Sequence, residues 1–328
     1  MGGFYNNSNS HSYIGRSEQL YGVTEARLSG GYGDGMRILL VRNGSGLEFV
    51  ISLDRAADVS RLLVNGENMG YFAPCGYVAP QYYDDPGAGF LKSFTAGFFT
   101  TCGLQSVGNP CEDEGEYCPT HGTVSNIPCE WYSYEVTDRE IRIRTRLREA
   151  WLFSKKLMLE REYVCPLFEN RFTVTDKITN IGTLDCPLEL LYHCNMGYPL
   201  LDENAVVTIP AEKVTPRNAH AAEGLENCLV MEKPQRGYEE KCYYHTLRGK
   251  TEVSVENPRL GRKVSIRYNA DELPFFTEWK MMGEQEYVLG LEPGNCHPDG
   301  RQVMREQGKL EILPAGGEKV CRLEFLFQ

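Results

Sequence analysis

Ile141-Arg142-Ile143-Arg144-Thr145-Arg146-Leu147-Arg148 sets an apolar or β-branched residue against a cation at every step. A period of two puts successive side chains on opposite faces of a strand, so the stretch predicts one dry face and one wet face. The same alternation returns in Val253 and Val255, in Val264, Ile266 and Tyr268, and in Cys321, Leu323, Phe325 and Phe327. Turn residues separate such runs. Asn43-Gly44-Ser45-Gly46 lies between Ile38–Val41 and Leu47–Leu53. Thr137-Asp138-Arg139 lies between Trp131–Val136 and Ile141–Leu147. Pro314-Ala315-Gly316-Gly317 lies between Leu310–Leu313 and Val320–Phe327. Each reads as a hairpin connection.

Helical periodicity is confined to Arg301–Gln307 and Ser17–Leu20. Parallel strands need long crossovers, usually helices, so their scarcity leaves antiparallel pairing. The expected fold class is therefore all-β, a large antiparallel β-sandwich. Residues 1–15 read as a flexible N-terminal segment and 16–328 as one sandwich domain. Cys102–Pro128, rich in Gly, Pro, Glu and Cys, is the most irregular stretch, and a loop of that length in a compact protein is often functional.

The net charge of −11 and the lack of a basic run argue against nucleic acid and anionic membrane surfaces as partners. No stretch reaches the ~18–20 apolar residues of a membrane span, and Met1–Tyr13 lacks the pattern of a secretory signal. A cytoplasmic location with reduced thiols is expected for the 12 cysteines. Cys111, Cys118 and His121 form C-x6-C-x2-H, which is not a structural zinc spacing.

His121, in Pro119-Thr120-His121-Gly122, closes the irregular stretch. His193 ends the apolar run Leu188–Tyr192, and Glu292 ends Tyr287–Leu291. His297 follows a Gly-Asn turn, Arg55 follows Phe49–Leu53, and Glu278, Trp279 and Lys280 follow Phe275-Phe276-Thr277. Singly, each has an ordinary structural explanation: a solvated strand end, a surface ion pair, a core aromatic.

Their order along the chain resembles the galactose mutarotase-like superfamily, the aldose 1-epimerase fold, and most closely its branch DUF4432, from about Tyr21 to the C-terminus. Ser45–Phe49 leading to Leu53-Asp54-Arg55-Ala56-Ala57-Asp58, Thr120–Pro128, Leu191-Tyr192-His193-Cys194-Asn195 and Leu289-Gly290-Leu291-Glu292-Pro293 carry the match. The flanks differ. Cys194-Asn195 stand where mutarotases carry an aromatic pair, and Pro293-Gly294 where they carry Thr-Gln.

The resemblance implies a supersandwich that binds a small carbohydrate and interconverts its anomers, with no cofactor or metal. Glu292 would be the base at the anomeric hydroxyl and His193 the acid at the ring oxygen. His121 and Arg55 would hold sugar oxygens. Glu278 is the nearest counterpart of the family's sugar-binding Asp, and Trp279 is placed to stack on the sugar. Lys280 and His297 complete the substrate-binding candidates. Two other readings stay open: a non-catalytic sugar-binding or regulatory protein, and a different sugar isomerase, epimerase or lyase using His121, His193, Glu292 and His297 on a metal. The oligomeric state is not legible.

Overall fold

A computed structural model describes residues 12–328. Residues 1–11 of the segment 1–15 expected to be flexible lie outside the described residues.

Three sheets account for most of the chain. The first is a five-stranded meander of Gly22–Arg27, Arg37–Arg42, Leu47–Ser52, Asp58–Val64 and Glu67–Asn68. The second, eight-stranded, runs Trp131–Val136, Glu140–Ala150, Lys156–Pro166, Arg171–Asn180, Glu318–Phe327, Arg262–Asn269, Lys250–Asn257, Val206–Thr208. The third runs Lys213–Pro216, Lys241–Thr246, Phe275–Met282, Tyr287–Gly294, Cys186–Gly197, Glu311–Leu313, with Phe99–Leu104 also on Cys186–Gly197. The main ladders are antiparallel. The expected all-β antiparallel sandwich is what forms. No described helix is long and apolar enough to cross a membrane.

The alternation of 141–148 does what a period of two requires. Ile141, Ile143, Thr145 and Leu147 are buried, while the arginines between them reach toward Glu130, Glu140 and Glu162 on the wet face. Two of the three turn segments make hairpins: Arg37–Arg42 pairs Leu47–Ser52, and Trp131–Val136 pairs Glu140–Ala150. Pro314–Gly317 does not. Glu311–Leu313 pairs Cys186–Leu188 in the third sheet, whereas Glu318–Phe327 pairs Arg171–Thr179 in the second. The turn switches sheets because the two segments bury their apolar faces on different partners.

One core joins the sheets. Phe49 stacks on Phe172 at 4.9 Å, tying the first sheet to the second, and Phe99 stacks on Phe325 at 5.8 Å, tying the third to the second. At the junction Arg161, fully buried, bonds Asp176 at 2.6 and 2.7 Å, Asp58 at 2.7 Å and the Thr101 hydroxyl at 2.7 Å. The Tyr192 hydroxyl donates to Asp176 at 2.7 Å. Each sheet contributes to this network. Buried ions are tolerated only when paired and hydrogen-bonded in this way, so it fixes how the sheets dock.

Candidate functional site

The site grows from the third sheet. Cys186–Gly197 is buried along its whole length, because both of its faces are covered. Leu190, Tyr192, Cys194 and Met196 point to the inter-sheet core. By alternation His193 points the other way. The neighbouring strands keep the same parity. On Tyr287–Gly294, Leu289 and Leu291 face the core and Glu292 faces the side of His193. On Phe275–Met282, Thr277 and Trp279 share that side, and Thr277 lies directly opposite Glu292. Cys242 joins them from Lys241–Thr246.

Gly290 makes the crowding tolerable. A Cβ there would fall 2.3 Å from Glu292 Oε1 and 3.0 Å from Trp279 Cβ. The bare glycine leaves room for the carboxylate and the indole to lie side by side.

His121 arrives from the loop by a different route. Its φ is +56° and that of Gly122 is +71°. A Cβ on Gly122 would sit 2.2 Å from the Gly103 carbonyl, so the His-Gly pair is required for the close approach. Gly103 N–H donates to His121 O at 3.0 Å, and His121 N–H to Gly108 O at 2.9 Å. This pins the loop to Phe99–Leu104, which pairs with the strand of His193. The two imidazole centroids lie 5.7 Å apart.

A cleft of about 380 Å³ opens over these groups, walled by Phe90, Phe94, Trp279, Arg217, Glu240 and Pro298. That is the scale of a small-molecule site. Phe94 and Trp279 each lie edge-on to His193 at 5.1 Å, and the Trp279 indole N–H donates to Glu240 at 2.6 Å. Arg217 bonds Asp299 Oδ1 at 3.1 Å and the Pro298 carbonyl at 3.0 Å. A larger groove of about 530 Å³ runs over the charged side chains Lys250, Glu252, Arg267, Arg322 and Glu324. There Arg267 pairs with Glu252 on a solvated strand face, and no His is present.

At the cleft floor His193 Nε2 lies 3.2 Å from Glu292 Oε1. Oε1 and the Nδ1 atoms of His193 and His121 are buried without a hydrogen-bond partner. Burial pushes the Glu292 carboxyl well above its usual range, and Glu240 adds to the shift. Burial, with His121 alongside, lowers His193 to about 3. Burial, with Arg217 nearby, lowers His121 to about 4. Desolvation disfavours every charged form here, which favours a carboxylic acid beside a neutral imidazole. That arrangement holds the same number of protons as carboxylate and imidazolium.

The structure thus brings His121, His193, Trp279 and Glu292 together. Four other candidates lie elsewhere. Arg55 is buried behind the loops, donating to the carbonyls of Ser125 at 2.5 Å, Val78 at 2.8 Å and Ser93 at 2.8 Å. Its guanidinium holds the chain that carries Phe90, Phe94 and His121 and does not line the cleft, so the expected sugar contact is corrected to a staple. Glu278 and Lys280 are wrong by parity. They share a strand with Trp279 but point through the opposite face, where Glu278 meets His245 at 2.9 Å and Lys280 meets the Val230 carbonyl at 2.6 Å. His297 turns aside to stack on Tyr244 at 3.8 Å and to meet Phe275 at 4.7 Å. Among the described residues no three His, Cys, Asp or Glu are grouped to hold a metal ion.

Sequence reasoning missed Arg217, Glu240, Thr277, Phe90 and Phe94. Thr277 was recoverable, since it has the parity of Trp279. Phe94, Arg217 and Glu240 come from irregular segments and Phe90 from the single 3-10 turn Gly89–Lys92, none with a strand period to read.

The family model described as "Domain of unknown function (DUF4432)" matches residues 33–326. None of the curated proteins matches the chain. Among solved structures, a "putative aldose 1-epimerase" from Klebsiella pneumoniae is 26% identical with a TM-score of 0.89, over 95% of this chain and 86% of that one. A galactose mutarotase-like protein from Clostridium acetobutylicum is 12% identical with a TM-score of 0.69, over 94% and 99%. The galactose 1-epimerase of Lactobacillus acidophilus is 12% identical with a TM-score of 0.64, again over 94% and 99%. The fold is that of the galactose mutarotase-like proteins.

Proposed function

The chain belongs to the DUF4432 family, whose description assigns no activity, and on that premise we propose that its cleft interconverts the anomers of a sugar by acid–base catalysis at Glu292 and His193. The observation that carries the reading is the 3.2 Å separation of His193 Nε2 and Glu292 Oε1 at the floor of a cleft walled by Trp279.

Anomer exchange moves two protons in opposite senses. One leaves the anomeric hydroxyl and one reaches the ring oxygen. The ring opens to the aldehyde, the C1–C2 bond rotates, and closure on the other face reverses both transfers. A dry pair that shares one proton suits this cycle. Transfer from Glu292 to His193 yields the carboxylate that takes the hydroxyl proton and the imidazolium that protonates the ring oxygen. Closure returns both groups to their starting state. Water exclusion favours such transfers, because the groups need not shed a hydration shell as charge develops. His121 and Arg217 supply polar contacts to sugar oxygens, and Trp279 offers a flat apolar face to the sugar C–H groups.

The test begins with a panel of aldoses followed by NMR exchange between anomers. The protein should accelerate exchange of at least one. Glu292→Gln keeps the shape of the side chain and removes the titratable group, so it should lower the rate by roughly 10²–10⁴-fold while binding of that sugar persists. Full activity in this variant would sink the assignment. Sugar binding with no acceleration by the native protein would favour a binding or regulatory role on the same fold.

A further inference from the structure

Cys111 and Cys118 face each other across the hairpin of Cys111–Asp113 and Glu116–Cys118, as direct partners in its antiparallel register. The connection is Glu114-Gly115, with φ values of +52° and +78°, as in the tight two-residue turn that keeps flanking strands in ladder spacing. The pair next to such a turn exchanges both ladder bonds, and so does the pair two residues further out. Cys111 and Cys118 occupy that second position, where Cα atoms stand about 5.5 Å apart. A disulfide spans about 4.4–6.8 Å between Cα atoms. The Cα spacing of such a pair falls within that span, and the Cβ atoms, about 5.5 Å apart in a hydrogen-bonded pair, need draw in by only about 1 Å to reach the separation of a bridge. None of the other ten cysteines of the twelve pairs with a cysteine in a strand register.

The pair also occupies a significant place. Gly108, Asn109 and Pro110, just before Cys111, line the cleft, and so do Thr120 and His121, just after Cys118. The two cysteines therefore form the neck of a flap whose two stems are cleft wall. The flap's far end is held elsewhere: Asp113 bonds Arg301 at 2.6 Å and Arg305 at 2.7 Å, and Glu116 bonds Arg301 at 2.7 Å.

From this geometry we infer that Cys111 and Cys118 are a site of reversible oxidation, closing to an intramolecular disulfide that clamps the two wall stems together. The inference goes beyond the sugar reading and does not depend on it. Cys111 is half-buried and Cys118 buried, so a small oxidant such as hydrogen peroxide meets Cys111 first. The Cys111 thiolate attacks one peroxide oxygen, the O–O bond breaks, and the sulfur becomes a sulfenic acid as water leaves. The Cys118 sulfur then attacks the Cys111 sulfur. The S–O bond breaks, and the departing hydroxide takes the Cys118 proton as a second water. Two thiols lose two electrons and one peroxide gains them. Arg301, beside Cys118, favours its thiolate against the burial that pushes this thiol to about 12.

The experiment treats the full chain with hydrogen peroxide, cleaves after the acidic residues between the two cysteines, and reads the fragments by mass spectrometry. The expected product joins the Cys111 and Cys118 fragments and is released by a reducing agent, with the wholly buried cysteines unmodified. In Cys118→Ser the resolving thiol is gone, and Cys111 should be trapped as a sulfenic acid by dimedone. Amide exchange across residues 108–121 should slow in the oxidised protein. A native protein that forms no such link, or a Cys118→Ser variant whose Cys111 stays unlabelled, would overturn the site. Formation of the link with unchanged amide exchange would overturn the clamp.

Discussion

Gly290→Ala tests the site with a single methyl group. The new Cβ would stand 2.3 Å from Glu292 Oε1, whereas a carbon and an oxygen settle at about 3.3 Å. The carboxylate must therefore retreat by about 1 Å. It is the far end of a flexible side chain, so it can move, and the fold need not. Gly290 lies in a strand outside the left-handed region, so alanine suits its backbone. Contact with Trp279 Cβ at 3.0 Å adds mild crowding. The stability cost should stay within about 1–3 kcal/mol, less about 0.4–1 kcal/mol regained from the stiffer unfolded chain. The functional cost should be larger. Glu292 would leave its 3.2 Å approach to His193, and a displacement of about 1 Å at reacting groups costs on the order of 10²-fold in rate, or about 2.7 kcal/mol of barrier. The assay is anomer exchange by NMR on the sugar the native protein turns over, beside urea unfolding. A folded Gly290→Ala protein with a rate within about threefold of native would refute the claim that Glu292 must sit where it does.

The remaining expectations concern stability. Arg55→Met should orphan the carbonyls of Ser125, Val78 and Ser93. At about 1–3 kcal/mol each, with water repairing some, the loss should be on the order of 3–6 kcal/mol by urea unfolding; a loss below about 1 kcal/mol would show that the three loops do not depend on the staple. His297 is lowered to about 4 by burial, with Lys309 and Arg217 reinforcing and Asp299 opposing, whereas the unfolded chain protonates it at about 6.5. Between those values the unfolded state binds the extra proton, so stability falls as pH falls, by up to about 1.4 kcal/mol per pH unit from this one group. His297→Phe retains the stack on Tyr244 and should flatten the stability slope between about pH 6.5 and 4 by that amount; parallel slopes for variant and native protein would contradict it.

The fold was legible where burial follows a local period. In Ile141–Arg148 each residue's neighbour announces its face, and the strand Glu140–Ala150 obeys. The turn at Pro314–Gly317 was not legible as a switch between sheets, because a turn's chemistry fixes the bend and not the partner that each flanking strand finds. The Arg161 network was equally hidden. In sequence, Arg161 is one more charge in an alternating strand, and only the docking of three sheets places Asp58, Asp176 and Thr101 around it.

In the site the decisive rule was parity, and it cut both ways. Glu292 and His193 each end an apolar run, an ordinary position taken alone; the resemblance of their order along the chain to the mutarotase-like family singles them out, and both face one cleft. Glu278 was chosen for its chemistry although it stands one residue from Trp279, and in a strand a neighbour points through the opposite face. Taking Trp279 as a wall residue should have excluded Glu278 and Lys280 at once and put Thr277 in their place. No such rule reaches Phe90, Phe94, Arg217 or Glu240, since neither an irregular segment nor a single 3-10 turn has a strand period from which a face can be inferred. Yet these segments matter to the chemistry as much as the strands do. Phe90 and Phe94 cover His121 and His193, and burial under that cover lowers both imidazoles and raises the Glu292 carboxyl. The strands place the proposed base and acid, while the loops supply the burial that shifts both.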